Sequence, residues 1–218
     1  MDTKTGRPRE VPDKKPEIGK TVRDICPATP GGKDWQPSAF SPRTGLLYIP
    51  QNNLCEEMEA VEANYIEGTP FLGANIKMYA GPGEYRGALD AWDPVTATSV
   101  WSRKEKFPAG SGALVTAGDL VFYGTLDGWF KAVNARTGDL IWQIKTPSGI
   151  VGQPITYRGP DGKQYVAVLS GVGGWAGLIV SGDVDPRDGT AAFGFANAMK
   201  DLPEATPKGG MLYVFSLP

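Results

Sequence analysis

The side chains able to do chemistry are few. The 218 residues contain no histidine, which removes histidine general bases, histidine-based triads and ordinary zinc sites. A bound metal would need oxygen ligands and would be a hard cation. Four glutamates, Glu56, Glu57, Glu59 and Glu62, fall close together, but their spacing matches no calcium loop, and they read as the solvated face of a loop. Two cysteines, Cys26 and Cys55, admit two readings: buried thiols, or a disulfide closing about 30 residues. The net charge of −2, with mixed signs, gives no support for nucleic acid or an anionic membrane surface as partner. No apolar run reaches the ~18 residues of a membrane span. The first twenty residues lack the apolar stretch of a signal peptide and read as a surface loop or linker.

The elements that must position such groups are short strands. Gly (29) and Pro (19) together exceed a fifth of the chain, which favours turns over helices. A repeat stands out. Ala91 to Trp101 and Ala132 to Trp142 share Ala, then Asp93 or Asn134, then Thr96 or Thr137, then Trp, in one register. The Asp or Asn and the Thr suit a tight turn, and Gly138 supplies easy positive φ there. A period in the low forties built of short strands is that of a propeller blade. The pattern predicts an all-β, partial β-propeller of about three four-stranded blades, near 35–104, 113–145 and 151–217. Within the first, 51–85 reads as a long irregular insertion. In the third, a glycine-rich stretch runs from Ser170 to Gly177, and 181–209 reads as a loop with a short helix near Ala192–Met199. Three blades cannot close a ring, since closed propellers have about four to eight. Such an arc would expose two apolar faces, so the chain is expected to be one part of a larger propeller domain.

Several runs resemble the pyrroloquinoline quinone (PQQ)-dependent methanol and ethanol dehydrogenases. They include Cys26-Pro27 with Cys55, Gly68 to Asn75, Lys77 to Pro82, Thr116 to Gly128, Thr146 to Ile150, Ser170 to Gly177 and Val214 to Pro218. The resemblance covers nearly everything after about residue 20. The tail, with Asp185-Pro186-Arg187, Gly194-Phe195 and Asp201-Leu202-Pro203, is more similar to the lanthanide-using branch than to the calcium branch. It implies an eight-bladed quinoprotein propeller with Trp-docking repeats, of which this chain would be roughly the last third to two fifths. It implies a periplasmic alcohol dehydrogenase that binds PQQ and a lanthanide or calcium ion at the mouth of the propeller. It oxidises a small primary alcohol to the aldehyde and passes electrons to a c-type cytochrome. The catalytic base and most metal ligands would lie in the missing N-terminal blades, so this chain alone is expected to oxidise no alcohol. A homodimer of the full-length protein is a further expectation. Read against the resemblance, the alternatives are a non-catalytic propeller scaffold piece or a truncated, degenerate gene product.

Residue by residue, the resemblance implies little more. Trp175, beside Gly174, matches a Trp lining the cofactor pocket, where glycine lets the main chain approach a flat ligand. Cys26 and Cys55 match the family's second disulfide. Asp34 stands where an Asn usually hydrogen-bonds the cofactor. An ionised carboxylate only accepts, so it would repel a quinone oxygen unless protonated or paired with a cation such as Lys33 or the metal. Gly110 stands where a second pocket Trp is usual. The two departures predict a weakened cofactor pocket that Asp34→Asn or Gly110→Trp would restore.

Overall fold

The computed structural model describes residues 2–68, 72–185 and 188–216. Parts of three quoted runs (69–71, 186–187 and 217–218) lie outside the described residues. In chain order the strands are β1 (Val22–Ile25), β2 (Ala39–Ser41), β3 (Leu46–Asn52), β4 (Leu54–Ala60), β5 (Ala74–Ala80), β6 (Gly87–Asp93) and β7 (Thr98–Glu105). They continue with β8 (Ala113–Val115), β9 (Leu120–Gly124), β10 (Trp129–Asn134), β11 (Leu140–Lys145), β12 (Ile155–Arg158), β13 (Gln164–Ser170) and β14 (Met211–Ser216). Three short helices, α1 (Gly174–Ser181), α2 (Phe195–Ala198) and α3 (Leu202–Ala205), lie between β13 and β14.

Two sheets have four antiparallel strands in sequential order, β2-β3-β6-β7 and β8-β9-β10-β11. A third is β12-β13-β14. The first strands β2 and β8 lie against each other, and the Ala113 N–H donates to the Pro37 carbonyl at 2.9 Å. These are therefore the inner strands, and β7 and β11 the outer ones. In the third sheet no described strand takes the outer position beyond β14.

The repeat works through its turns and its tryptophans. Asp93 Oδ1 accepts the N–H groups of Val95 and Thr96 at 2.8 and 3.3 Å. Asn134 Oδ1 accepts those of Arg136 and Thr137 at 2.8 and 3.2 Å. Each side chain thus closes the same local turn. The Trp then pairs across the ladder with the first Ala of its repeat, Trp101 with Ala91 and Trp142 with Ala132, and the register shifts at the next residue in both. Trp101 reaches the following sheet. Its indole N–H donates to the Ala135 carbonyl at 3.1 Å, and its ring covers Gly138, where a Cβ would come within 2.7 Å of it. Trp142 likewise meets Phe215 of β14 edge-on at 5.2 Å. These indoles join blades, and neither lines the cleft described below.

Between the first and second sheets the core is Tyr48, Leu89, Val121 and Val133, all essentially inaccessible. The Tyr48 hydroxyl donates to the Ala135 carbonyl at 3.0 Å. Between the second and third it is Phe130, Ile150, Val166 and Val168. The seam is tight: a Cβ on Gly124 would sit 2.3 Å from Ile150 Cγ2. Gly124→Ala should therefore cost about 1–3 kcal/mol through overpacking, measurable as a drop in urea midpoint at unchanged m-value. The outward faces of the arc are apolar and open. Phe40 and Val100 are exposed on the first sheet, and Ile155, Leu169 and Leu212 on the third, as blades that stack on further blades require.

The segment 51–85 differs from the expected irregular loop. It carries β4 and β5, which pair with β1 as a separate antiparallel sheet, β1-β4-β5. Nor are Glu56, Glu57 and Glu59 a solvated loop face, although Glu62 is exposed in irregular chain. Glu56 is 2% exposed and accepts hydrogen bonds from the Thr29 N–H and hydroxyl at 2.8 and 2.9 Å. Glu57 pairs with Arg23 and Lys77, and Glu59 accepts the Thr21 hydroxyl. Leu54, Ile76 and Met78 share a buried cluster. Glu56 stands between Leu54 and Met58 on that inward face, which hid the strand period. Among the described residues no group of three or more acidic or thiol side chains could hold a metal ion.

Candidate functional site

The cleft forms where segments entering the inner strands meet turns leaving the second strands. Asp34 and Trp35 precede β2, Gly110 precedes β8, Leu126 lies between β9 and β10, and Gly174 and Trp175 follow β13. All line one cleft of about 460 Å³. Hydrogen bonds lock its rim. Gln36 Nε2 donates to the Ala109 carbonyl at 2.6 Å, and the Ala109 N–H donates to Asn52 Oδ1 at 3.1 Å. The Ser111 hydroxyl donates to the Gly152 carbonyl at 2.9 Å. Three adjacent sheets thus hold one surface.

The glycine-rich stretch, to which the sequence assigned no element, turns helical from Gly174 onward. Ala176 and Ile179, three residues apart, bury one side of α1 in a cluster with Phe107, Leu126, Met199 and Leu202. Gly174 opens the helix at φ +56°, a conformation that favours glycine. A Cβ at Gly173 or Gly174 would meet nothing within 4 Å, so this main chain faces open space. Trp175 is 42% exposed. Phe193 meets its ring edge-on at 4.8 Å, and Phe195 lies nearly parallel at 6.4 Å. Of the short helix expected near 192–199, only α2, Phe195–Ala198, is helical; Ala192 and Phe193 before it stand at φ +50° and +54°, outside helical geometry.

Asp34 is exposed at the cleft. Lys33 does not neutralise it: the ammonium donates to the main-chain carbonyls of Asp34 and Gln36. Among the described residues the Asp34 carboxylate has no hydrogen-bond or ion-pair partner. Gln36 is 4% exposed, and its Oε1 has no partner either.

Gly110 is not an empty socket. A Cβ there would lie 2.5 Å from Leu126 Cδ2. Gly110→Trp alone is therefore no simple restoration of a ring, because Leu126 already fills the space. Cys26 and Cys55 are bonded and lie in the β1-β4-β5 region, outside the cleft lining.

Residues 83–166 match a family described as the PQQ glucose/ethanol/alcohol dehydrogenase β-propeller domain. Over 216 residues the chain is 51% identical to a lanthanide-dependent methanol dehydrogenase of Methylacidiphilum fumariolicum, covering 97% of this chain and 35% of that protein. It superposes on a europium-containing methanol dehydrogenase with a TM-score of 0.91 at 51% identity, over 95% of this chain and 37% of the other. The chain belongs to the PQQ β-propeller family. It is also 39% identical to methanol dehydrogenase [cytochrome c] subunit 1 of Methylobacterium organophilum, over all of this chain and 35% of that protein. The chain thus spans about a third of the length of the relatives it matches. Among its described residues no helix is long and apolar enough to cross a membrane.

Within this quinoprotein frame, Asp34, Gly110, Gly174 and Trp175 share one cleft. Leu126, Phe195 and Met199 complete its wall and were not singled out as site residues from sequence. Leu126 left one sign: it is an apolar residue inside a turn, Thr125 to Gly128, where polar residues usually stand.

Proposed function

We propose that the chain supplies the C-terminal part of a periplasmic PQQ-dependent alcohol dehydrogenase of the methanol type. Its cleft would form one wall of the cofactor and substrate site. One observation carries this reading: Asp34 and Trp175, 141 positions apart in the chain, line the same cleft at the inner ends of three stacked sheets.

The residues present fit part of the cofactor. Trp175 offers an exposed aromatic face, and the main chain at Gly173 and Gly174 has open space before it, which suits a flat ring. Asp34, whose carboxylate has no ion-pair partner among the described residues, suits a metal ion or a donor group and not a bare quinone oxygen. The lining side chains include no lysine or arginine, so the cations that hold the cofactor's carboxylates come from the remaining blades. Bound there, the quinone would supply the hydride acceptor that converts a primary alcohol to an aldehyde. Trp175 would cover the ring face and exclude water. Asp34 would hold a cation near the reacting edge. The base that removes the alcohol proton and most metal ligands would belong to the rest of the protein, and the electrons would leave to a c-type cytochrome.

Two measurements test this reading. Alcohol-dependent dye reduction, with PQQ and calcium or a lanthanide, is expected from the chain assembled with the remaining blades. None is expected from the 218-residue chain alone, and turnover by that chain alone would refute the division of labour. In the assembled protein without metal, Asp34→Asn should tighten PQQ binding about tenfold, or about 1.4 kcal/mol, by tryptophan quenching. With metal present the gain should vanish, because the carboxylate is then paired.

A further inference from the structure

Leu126 occupies the turn between β9 and β10, yet it is 3% exposed. Its main chain is held from two sides. The N–H groups of Gly128 and Ile150 both donate to the Thr125 carbonyl at 3.0 Å. Gly149 packs so closely that a Cβ there would fall 2.1 Å from the Leu126 carbonyl oxygen. The isobutyl group is thus directed over Gly110, where a Cβ would meet Cδ2 at 2.5 Å and Cγ at 3.2 Å. The Ile150 carbonyl closes the same space at 3.3 Å. Phe107, Ala176 and Met199 pack around the side chain, and its surface toward the cleft is part of the lining.

We propose that Leu126, seated on Gly110, is a specificity-determining residue. It forms an aliphatic wall where a side chain at position 110 would otherwise project, and so sets how large an apolar group of a bound primary alcohol the cleft admits. The alcohol rests on the dehydrogenase reading above; the shared space between positions 110 and 126 does not.

The first test is a double-mutant cycle in the full chain. Gly110→Trp should lower the thermal midpoint by about 3–10 °C, the overpacking cost spread over a domain of this size. Leu126→Ala in the same chain should recover most of that loss, a non-additivity expected only of side chains sharing space. A tolerated Gly110→Trp, or a double variant no better than the sum of the singles, overturns the wall. The second test uses the assembled protein and 1-butanol against methanol, with binding read by tryptophan quenching without turnover. Leu126→Phe should lower the butanol preference about tenfold, the scale on which apolar pockets discriminate methylenes, and Leu126→Ala should raise it. An unchanged preference overturns the size-setting role. A shifted preference without alcohol-dependent dye reduction supports the wall and overturns the dehydrogenase reading. Should Leu126→Phe fail to fold, the Leu126→Ala arm and the cycle decide the matter.

Discussion

Cys26→Ala combined with Cys55→Ala is expected to destabilise the protein by about 3–4 kcal/mol, the loop-closure entropy of a bond spanning about 30 residues. For a domain of this size that corresponds to a midpoint lower by about 10 °C. The bond joins positions 29 apart in sequence, and the other ties on the segment it anchors are noncovalent, among them the Tyr79 hydroxyl on Asp24 and the Ala28 N–H on the Leu54 carbonyl. Strand β1 pairs with β4 alone, through Val22 with Met58 and Ile25 with Glu56, and the register shifts between the two pairs. Beyond Cys26, the Thr29 N–H and hydroxyl satisfy the buried Glu56 carboxylate. Freeing the segment would leave that carboxylate buried without partners, which adds to the cost. The loss should reach the cleft as well, because Asp34 follows eight residues after Cys26. Thermal unfolding of the double variant, and of the native chain with and without reductant, checks the expectation. An unchanged midpoint would mean that the noncovalent contacts of this region, the β1-β4 ladder, Asp24 with Tyr79 and Thr29 with Glu56, hold it without the bond.

The sheets were legible from sequence because their cause is local. Asp93 and Asn134 close identical turns, and Trp101 and Trp142 follow at one spacing, so the repeat announces the blade before any contact is known. The β1-β4-β5 sheet was not legible, because its inward row includes Glu56. A charged residue in an apolar row defeats a period-two reading unless its partner, Thr29, is known to lie beside it. Helix α1 was hidden by its glycines, whose low helix propensity is overridden by burial of Ala176 and Ile179. At the cleft, the resemblance supplied Asp34, Gly174 and Trp175. Their convergence, and the occupation of Gly110's space by Leu126, depend on contacts between sheets that no local pattern encodes.

The helical segment that carries Phe195 and Met199 to the cleft is pinned to the first sheet by Arg86. Its Nε donates to the Lys106 carbonyl at 2.6 Å, and Nη1 donates to the Ala198 carbonyl. Both terminal nitrogens engage the Asp201 carboxylate, at 2.6 and 2.9 Å. The guanidinium stacks over Phe107 at 4.5 Å, and Lys106 adds a second ion pair to Asp201 at 3.0 Å. Arg86 is 14% exposed and Asp201 30%. Arg86→Ala should therefore cost about 1.5–3 kcal/mol, the scale of hydrogen bonds to a charged group, below that of a fully buried broken pair because Asp201 is partly exposed and Lys106 remains to hold it. Arg86→Lys should recover only part, because an ammonium cannot reproduce the fork. The pH dependence has a definite sign. Burial alone would raise the Asp201 pKa, but the hydrogen bonds from Arg86 and Lys106 outweigh it and hold the group at about 2. An unfolded aspartate titrates near about 3.9, so the native state binds fewer protons between these values. The contribution is complete above about pH 4 and is lost as the pH falls through about 2. Asp201→Asn should lower stability at neutral pH and flatten the acid limb of the stability curve in that window. The native slope persisting in Asp201→Asn would assign the acid sensitivity to another carboxylate. An affinity for PQQ unchanged in Arg86→Ala would show that Phe195 and Met199 keep their places without the pin.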